Sequence, residues 1–153
     1  MTYLIMTLLA LTGPIPDRGQ DRDAALQRTL DDWVAMWNSY DLDEIKKLFV
    51  ADESVTYFSS ERDGLIQGID ELIAHHEGFG FRSGGAQTDS RLWLDDVQIR
   101  WDGTTAVVLA TWFFGREGVE DPPQKGPVTF VIVGRAEGYR ILHAHFANAA
   151  DEG

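Results

Sequence analysis

The chain has 153 residues, of which 44% are hydrophobic and 25% charged, and this size and balance fit one compact domain around a single core. Its 25 Asp and Glu residues outnumber its 13 Lys and Arg residues, and the formal net charge of −12 disfavours nucleic acid and anionic membrane surfaces as partners. The sequence contains no cysteine, which excludes disulfides, thiolate nucleophiles and thiolate metal ligands.

The chain begins with an apolar run, Tyr3 to Leu11, followed by a Gly-Pro-Ile-Pro segment and a polar stretch. The run resembles the hydrophobic region of a secretory signal, yet no Lys or Arg precedes it and no Ala-x-Ala cleavage site follows it. At about nine residues it is too short to span a bilayer. We therefore predict an apolar arm or signal-like segment at residues 1–22 and one domain at 23–150. The protein is expected to be cytoplasmic, or exported if residues 1–16 act as a signal peptide.

Three helices are predicted before the main run of strands. Apolar residues recur with the helical period over residues 23–39, and an aspartate at the start is suited to cap the first turn. A short second helix is expected from Asp41 or Asp43. A third helix, of about ten residues, is expected to start at Ile69 and to end at the glycines that begin with Gly78.

The strand pattern starts with a short run at residues 54–59 and continues after Asp89. Asp102-Gly103 favours a tight hairpin, because both central residues of that turn need positive φ. The four later strands are expected at residues 91–101, 104–116, 127–135 and 139–148. Helices followed by a meander of strands predict an α+β fold in which one curved sheet wraps the helices.

This order of elements, together with four short motifs, resembles the SnoaL-like and related NTF2-like families over about residues 23–148. The motifs are Trp33-x-x-x-Trp37-Asn38, Asp41-Leu42-Asp43-x-Ile45, Gly68-Ile69-x-x-Leu72 and the run from Gly138 to Phe146. The resemblance implies an NTF2-like, cystatin-like cone, with N-terminal helices wrapped by a curved, mostly antiparallel sheet. Its members include isomerases, cyclases, dehydratases, assembly domains and non-catalytic binders, so the fold does not select a function.

The resemblance permits a comparison with the ketosteroid isomerases, which use a carboxylate base and an oxyanion hole made of a tyrosine and a protonated aspartic acid. Phe58 falls near the position of the base, Trp33 at that of the tyrosine and Phe130 near that of the aspartic acid. A steroid-isomerase mechanism is therefore disfavoured, and an aromatic wall is expected instead. Trp33 and Trp37, four residues apart on the first helix, fit core packing as well as stacking on a flat ligand.

Side chains on a strand alternate between its two faces, so one assignment fixes a whole strand. With Phe130 facing the interior of the cone, the alternation directs the following residues inward: Val128, Ile132, Thr56, Phe58, Val107, Leu109, Thr111, Phe113, Leu142, Ala144, Phe146 and Asn148. It directs outward Val108, Ala110, Trp112, Thr129, Val131, Val133, His143 and His145. The resemblance implies that this outer face serves dimerisation, and its apolar character predicts a homodimer.

Histidines are the main candidates for chemistry. By the resemblance, His76 aligns near a pocket tyrosine of the isomerases, which makes it the candidate proton-transfer group, although a role at the end of the third helix also explains it. His143 and His145 form half of a zinc site on one strand face, but no third ligand accompanies them. No phosphate loop, nucleophile elbow or His-Glu-x-x-His motif is present, so neither a metal nor a cofactor is predicted.

Three hypotheses about function remain open, and the sequence does not decide whether the protein is an enzyme. The first is binding of a small apolar or aromatic molecule in a pocket lined by Trp33, Trp37, Thr56, Phe58, Leu109, Phe130, Phe146 and Asn148. The second is an acid/base enzyme of the polyketide cyclase, isomerase or dehydratase type, with His76 as base and Trp33 or Asn148 as hydrogen-bond donor. The third is a dimerisation or assembly domain with a filled cone. Convergence of His76 and Asn148 in one cavity would favour the second hypothesis.

Overall fold

The structure, a computed structural model, describes residues 18–150, with side chains from residue 19 onward. Three helices and one 3-10 turn precede the long strands. They are α1 at Arg18–Ser39, the 3-10 turn at Leu42–Glu44, α2 at Ile45–Leu48 and α3 at Ile69–Gly78. α1 therefore includes residues 18–22, which the sequence analysis assigned to the N-terminal segment. The rest of that predicted segment lies outside the described residues.

Six strands form one sheet in the order β2-β1-β6-β5-β4-β3. They are β1 at Thr56–Phe58, β2 at Ile66–Gln67, β3 at Ser90–Asp102, β4 at Thr105–Arg116, β5 at Gln124–Arg135 and β6 at Gly138–Phe146. Neighbouring strands are antiparallel except β1 and β6, which are parallel. This curved, open sheet around the helices confirms the predicted α+β cone.

α1 supplies the centre of the core. Its apolar residues recur at intervals of three and four, which places them on one helix face, and the structure buries that stripe against the sheet. The stripe consists of Leu26, Leu30, Trp33, Met36 and Trp37. Among the described residues, no helix is both long and apolar enough to cross a membrane.

The predicted phase of β4 is wrong. Residues paired across neighbouring strands share a face, and Phe130, which is fully buried, pairs with Val108. The inward residues of β4 are therefore Ala106, Val108, Ala110 and Trp112, whereas the outer face carries Val107, Leu109, Thr111 and Phe113. Leu109 is 41% exposed. The cause is that β4 carries apolar side chains on both faces, so alternation offered no contrast from which to choose the phase.

The inward prediction for Thr56 and Phe58 is also wrong. Tyr57 pairs with Ala144 on the inner face and is buried, whereas Thr56 and Phe58 pair with the outward His143 and His145. Here too, alternation offered little contrast, because β1 has only three residues and two adjacent ones, Tyr57 and Phe58, are both large aromatics.

β6 changes phase within the strand. Its pairing with β5 shifts between Val131 and Ile132, where Leu142 is an extra residue, so that Ile141 takes the buried position instead of Leu142. The inward predictions for Ala144 and Phe146 are confirmed, and so are those for Phe130, Val128 and Ile132.

Candidate functional site

The open end of the cone contains a cavity of about 180 Å³. Its wall is mostly aromatic and is assembled from α1, β1, β4, β6 and the segment after α3. The aromatic lining consists of Trp37, Tyr40, Tyr57, Phe79, Trp112, Phe114 and Phe146, and Leu92 of β3 completes it. Four polar residues, Ser59, Ser60, Glu61 and Gln124, line the rest of the cavity. Among the described residues, the charged lining is therefore a single carboxylate, with no Lys or Arg.

The segment after α3 is held as a fixed part of this wall. The backbone N–H of Arg82 donates to Tyr40 O at 3.1 Å, and Ala86 N–H donates to Ser39 O at 2.9 Å. Asp43 Oδ2 accepts from the Ser83 hydroxyl at 2.6 Å and from a neighbouring backbone amide. These contacts tie the segment to the end of α1 and place the ring of Phe79 against the cavity.

Tyr57 brings a phenol to the inner wall. Its ring stacks on Phe146 with centroids 5.3 Å apart and an interplanar angle of 27°. The residue is 3% exposed, and burial raises the pKa of its hydroxyl well above that of a free tyrosine. The hydroxyl therefore stays protonated and is a hydrogen-bond donor. Within the described part of the chain it has no hydrogen-bond partner.

His76 is fully buried beside the cavity but is not part of its lining. Its Nδ1 lies 2.8 Å from Leu72 O, and because a carbonyl oxygen only accepts, Nδ1 carries the proton. Nε2 is then an acceptor, and it is buried without a partner among the described residues. The imidazole packs on Trp37 and Tyr57, with ring centroids 5.4 and 5.8 Å away. Burial lowers the pKa of His76 to about 4, so the ring is neutral at pH 7.

A polar network crosses the mouth of the cavity. Glu61 Oε1 accepts from Gln124 Nε2 at 2.6 Å and from the Ser60 hydroxyl at 3.2 Å. Asn148 accepts from Gln124 at 2.9 Å and donates to Ser60 O at 3.3 Å. The network joins the β1–β2 loop, the start of β5 and the chain after β6.

The predicted pocket residues separate into three groups. Trp37 and Phe146 line the cavity, whereas Trp33 and Phe130 are fully buried core residues with centroids 5.0 Å apart. Thr56, Phe58 and Leu109 lie on the outer face, and Asn148 is exposed at the mouth, so their inward placement was wrong. His76 and Asn148 do not converge in one cavity.

Sequence reasoning missed five of the seven aromatic lining residues. They are Tyr40, Tyr57, Phe79, Trp112 and Phe114. The correct phase of β1 and β4 would have identified three of them, Tyr57, Trp112 and Phe114. Tyr40 follows α1 directly with φ at 53°, a backbone turn that no helical or strand periodicity signals.

The outer face of the sheet carries two rows of paired residues across four strands. One row contains Phe58, His145, Thr129 and Leu109, and the other contains Thr56, His143, Val131 and Val107. We call these eight residues the outer patch. His143 Nδ1 and the Thr56 hydroxyl are 2.8 Å apart. No group of three His, Asp or Glu residues suited to a metal ion occurs within residues 18–150.

An α+β cone with an aromatic cavity at its open end defines the NTF2-like class of fold. The SnoaL-like domain profile matches residues 20–145, and the chain belongs to this family. No curated protein sequence matches the chain significantly.

Solved structures with this fold are similar over most of their length. One is an NTF2-like superfamily protein from Salmonella enterica, with 19% identity, a TM-score of 0.71, and coverage of 88% of this chain and 96% of that one. A second is an NTF2-like protein of unknown function from Pseudomonas putida, with 14% identity, a TM-score of 0.73, and coverage of 87% and 90%. The CaMKII hub of S. rosetta has 22% identity, a TM-score of 0.65, and coverage of 82% and 95%. At such identities the likeness concerns the fold alone.

Proposed function

We propose that this protein binds a small apolar or aromatic molecule in the cavity at the open end of the cone. The observation that carries the proposal is a wall of seven aromatic side chains around about 180 Å³ of space, with no Lys or Arg from residues 19–150 in the lining. A concave, mostly apolar site with a few polar groups at one end is typical of small-molecule sites. A charged ligand would lose its hydration there without gaining an ion partner.

Blocking the cavity at its mouth tests this proposal. Ser60 is half-buried and lines the cavity, so Ser60→Trp is expected to fill the entrance without disturbing the core. The matched control is Thr104→Trp, an equal enlargement at an exposed hairpin position. In a ligand-observed NMR screen of uncharged ring compounds, we expect binding to wild type and to Thr104→Trp but not to Ser60→Trp. Equal binding to all three proteins would show that the cavity is not the site.

The alternative of an acid/base enzyme rests on His76, whose buried Nε2 is free to accept a proton. Two observations weigh against it. His76 does not line the cavity, and a pKa lowered to about 4 makes it a weak base at pH 7. The alternative of an assembly domain with a filled cone is disfavoured by the cavity itself.

We further propose that the protein forms a homodimer through the outer patch. Leu109 and Phe58, at the two ends of one row, are exposed by 41% and 36%. An outer face with four apolar residues among its eight, two of them well exposed, favours a partner, and a second copy supplies a self-complementary one. The composition of the patch differs from the sequence-based prediction, since Val108, Ala110 and Trp112 face inward.

A further inference from the structure

We propose that the cavity selects an uncharged single-ring compound that carries a hydrogen-bond-accepting oxygen, which the Tyr57 hydroxyl receives. This inference rests on the proposed function and narrows the class of ligand. It is supported by the volume of the cavity, by its unpaired donor and by the charge at its mouth.

The volume limits the ligand to one ring with short substituents. An apolar cavity of about 150 Å³ is known to accommodate benzene. The cavity here, of about 180 Å³, is only slightly larger. A fused four-ring skeleton exceeds this volume.

The Tyr57 hydroxyl is an unpaired donor. It belongs to a residue that lines the cavity, is 3% exposed, and has no hydrogen-bond partner in the described chain. The indole N–H of Trp37, which also lines the cavity, is likewise unpaired among the described residues but is fully buried, whereas the Tyr57 hydroxyl retains some solvent access. Water can therefore satisfy the hydroxyl in the free protein, and a ligand that displaces this water must supply an acceptor to keep the hydrogen bond. An apolar ligand of the same shape leaves the hydroxyl unpaired. The cavity should therefore prefer a ketone or ether oxygen over a methylene group.

The charge at the mouth excludes anions. Glu61 is the charged lining residue, and its carboxylate already accepts from Gln124 and Ser60. With no cation in the lining to compensate, a carboxylate ligand meets repulsion from Glu61 as well as desolvation. The net charge of −12 acts in the same direction.

Three probes of similar size test the preference for an acceptor and the exclusion of anions separately. They are acetophenone, which has an acceptor, ethylbenzene, which has none, and benzoate, which is charged. Their dissociation constants are measured by following backbone amide and tryptophan indole N–H signals in an NMR titration. Wild type is expected to bind acetophenone about tenfold more tightly than ethylbenzene, because one hydrogen bond that the ketone keeps and ethylbenzene loses corresponds to about that ratio. Benzoate is expected to bind most weakly, and Glu61→Gln should strengthen its binding.

Tyr57→Phe removes only the hydroxyl and is expected to abolish the preference for acetophenone while leaving ethylbenzene unaffected. Tyr139→Phe is the matched control, because Tyr139 contacts Trp101 and is not part of the cavity lining. Equal affinities for acetophenone and ethylbenzene in wild type, or a preference that survives in Tyr57→Phe, would overturn the inference and leave the proposed function intact. Failure of all three probes to bind at millimolar concentration would overturn both.

Discussion

The side chain of Asn38 hydrogen-bonds to the free edge of β3, as the backbone of a neighbouring strand would. Its Oδ1 accepts from Leu92 N at 2.7 Å, and its Nδ2 donates to Leu92 O at 2.9 Å. β3 is the last strand of the sheet on this side, so these backbone groups have no strand partner. One amide side chain therefore satisfies both groups and joins the end of α1 to the cavity wall, since Leu92 lines the cavity.

We expect Asn38→Leu to lower the free energy of unfolding by about 1 to 3 kcal/mol, because it leaves both Leu92 backbone groups unpaired. Urea denaturation measures the change. Gln27→Leu is the control on the same helix, where the lost contact is an exposed pair with Asp31 and about 0.2 to 0.5 kcal/mol is expected. Similar losses in the two variants would contradict the role given to Asn38.

His76 gives stability a specific dependence on pH. Its pKa is lowered by burial to about 4 in the folded chain and returns to about 6.5 on unfolding, so the unfolded chain binds more protons between these values. The stability that the neutral His76 contributes to the folded chain is therefore fully present above pH 6.5 and is lost as the pH falls toward 4. A shift of this size corresponds to roughly 3 kcal/mol.

The matched variant is His76→Phe, which keeps an aromatic ring among Trp37, Tyr57 and Phe81. Between pH 7 and 4, wild type should lose about 3 kcal/mol more stability than the variant in urea denaturation. Parallel pH profiles of the two proteins would show that His76 is not buried as a neutral ring.

Among the elements, those with contrast between their faces were predictable from sequence. α1 has an apolar stripe and a charged opposite face, so its identity and four of its five buried apolar residues followed from periodicity, whereas the buried Met36 did not. β5 was assigned correctly because the placement of Phe130 fixed its phase. β1 and β4 have no such contrast, and their inward residues could be identified only through the pairing of Tyr57 with Ala144 and of Val108 with Phe130. For this reason the sequence analysis missed part of the cavity lining, because Tyr57, Trp112 and Phe114 are inward residues of β1 and β4.

The chain after β6 continues along β5 and covers Gly126. Ala147 N–H donates to Pro127 O at 3.1 Å, and Ala149 N–H donates to Lys125 O at 2.8 Å. Trp112 of the cavity wall donates its indole N–H to Ala147 O at 3.0 Å. A Cβ at position 126 would lie 1.8 Å from that same oxygen, so only glycine permits this approach.

Gly126→Ala is expected to displace residues 147–149 and to break the Trp112 bond, with a loss of about 2 to 4 kcal/mol. Thermal unfolding measures the change. Gly115→Ala on β4 is the control, because a Cβ there would meet Pro123 at 3.5 Å, an ordinary contact. A Gly126→Ala protein as stable as the control would contradict the close approach.

For the whole molecule, the outer patch predicts the oligomeric state. Leu109→Glu places a charge within the proposed interface, where burial without a partner opposes association. Leu109 is exposed in the single chain, so the fold should be retained. We expect light scattering to give a dimer for wild type, a monomer for Leu109→Glu, and a dimer for the control Val119→Glu, which alters an exposed loop residue. A monomeric wild type at micromolar concentration would exclude the interface.

The location of a bound ring compound tests the central claim most directly. Intermolecular nuclear Overhauser effects from acetophenone to assigned side-chain protons distinguish the cavity from the outer patch. Binding in the cone predicts effects to Tyr57, Phe79 and Phe146, whose rings line the cavity. Effects confined to Phe58 and Leu109 would place the compound on the outer patch and would contradict the account.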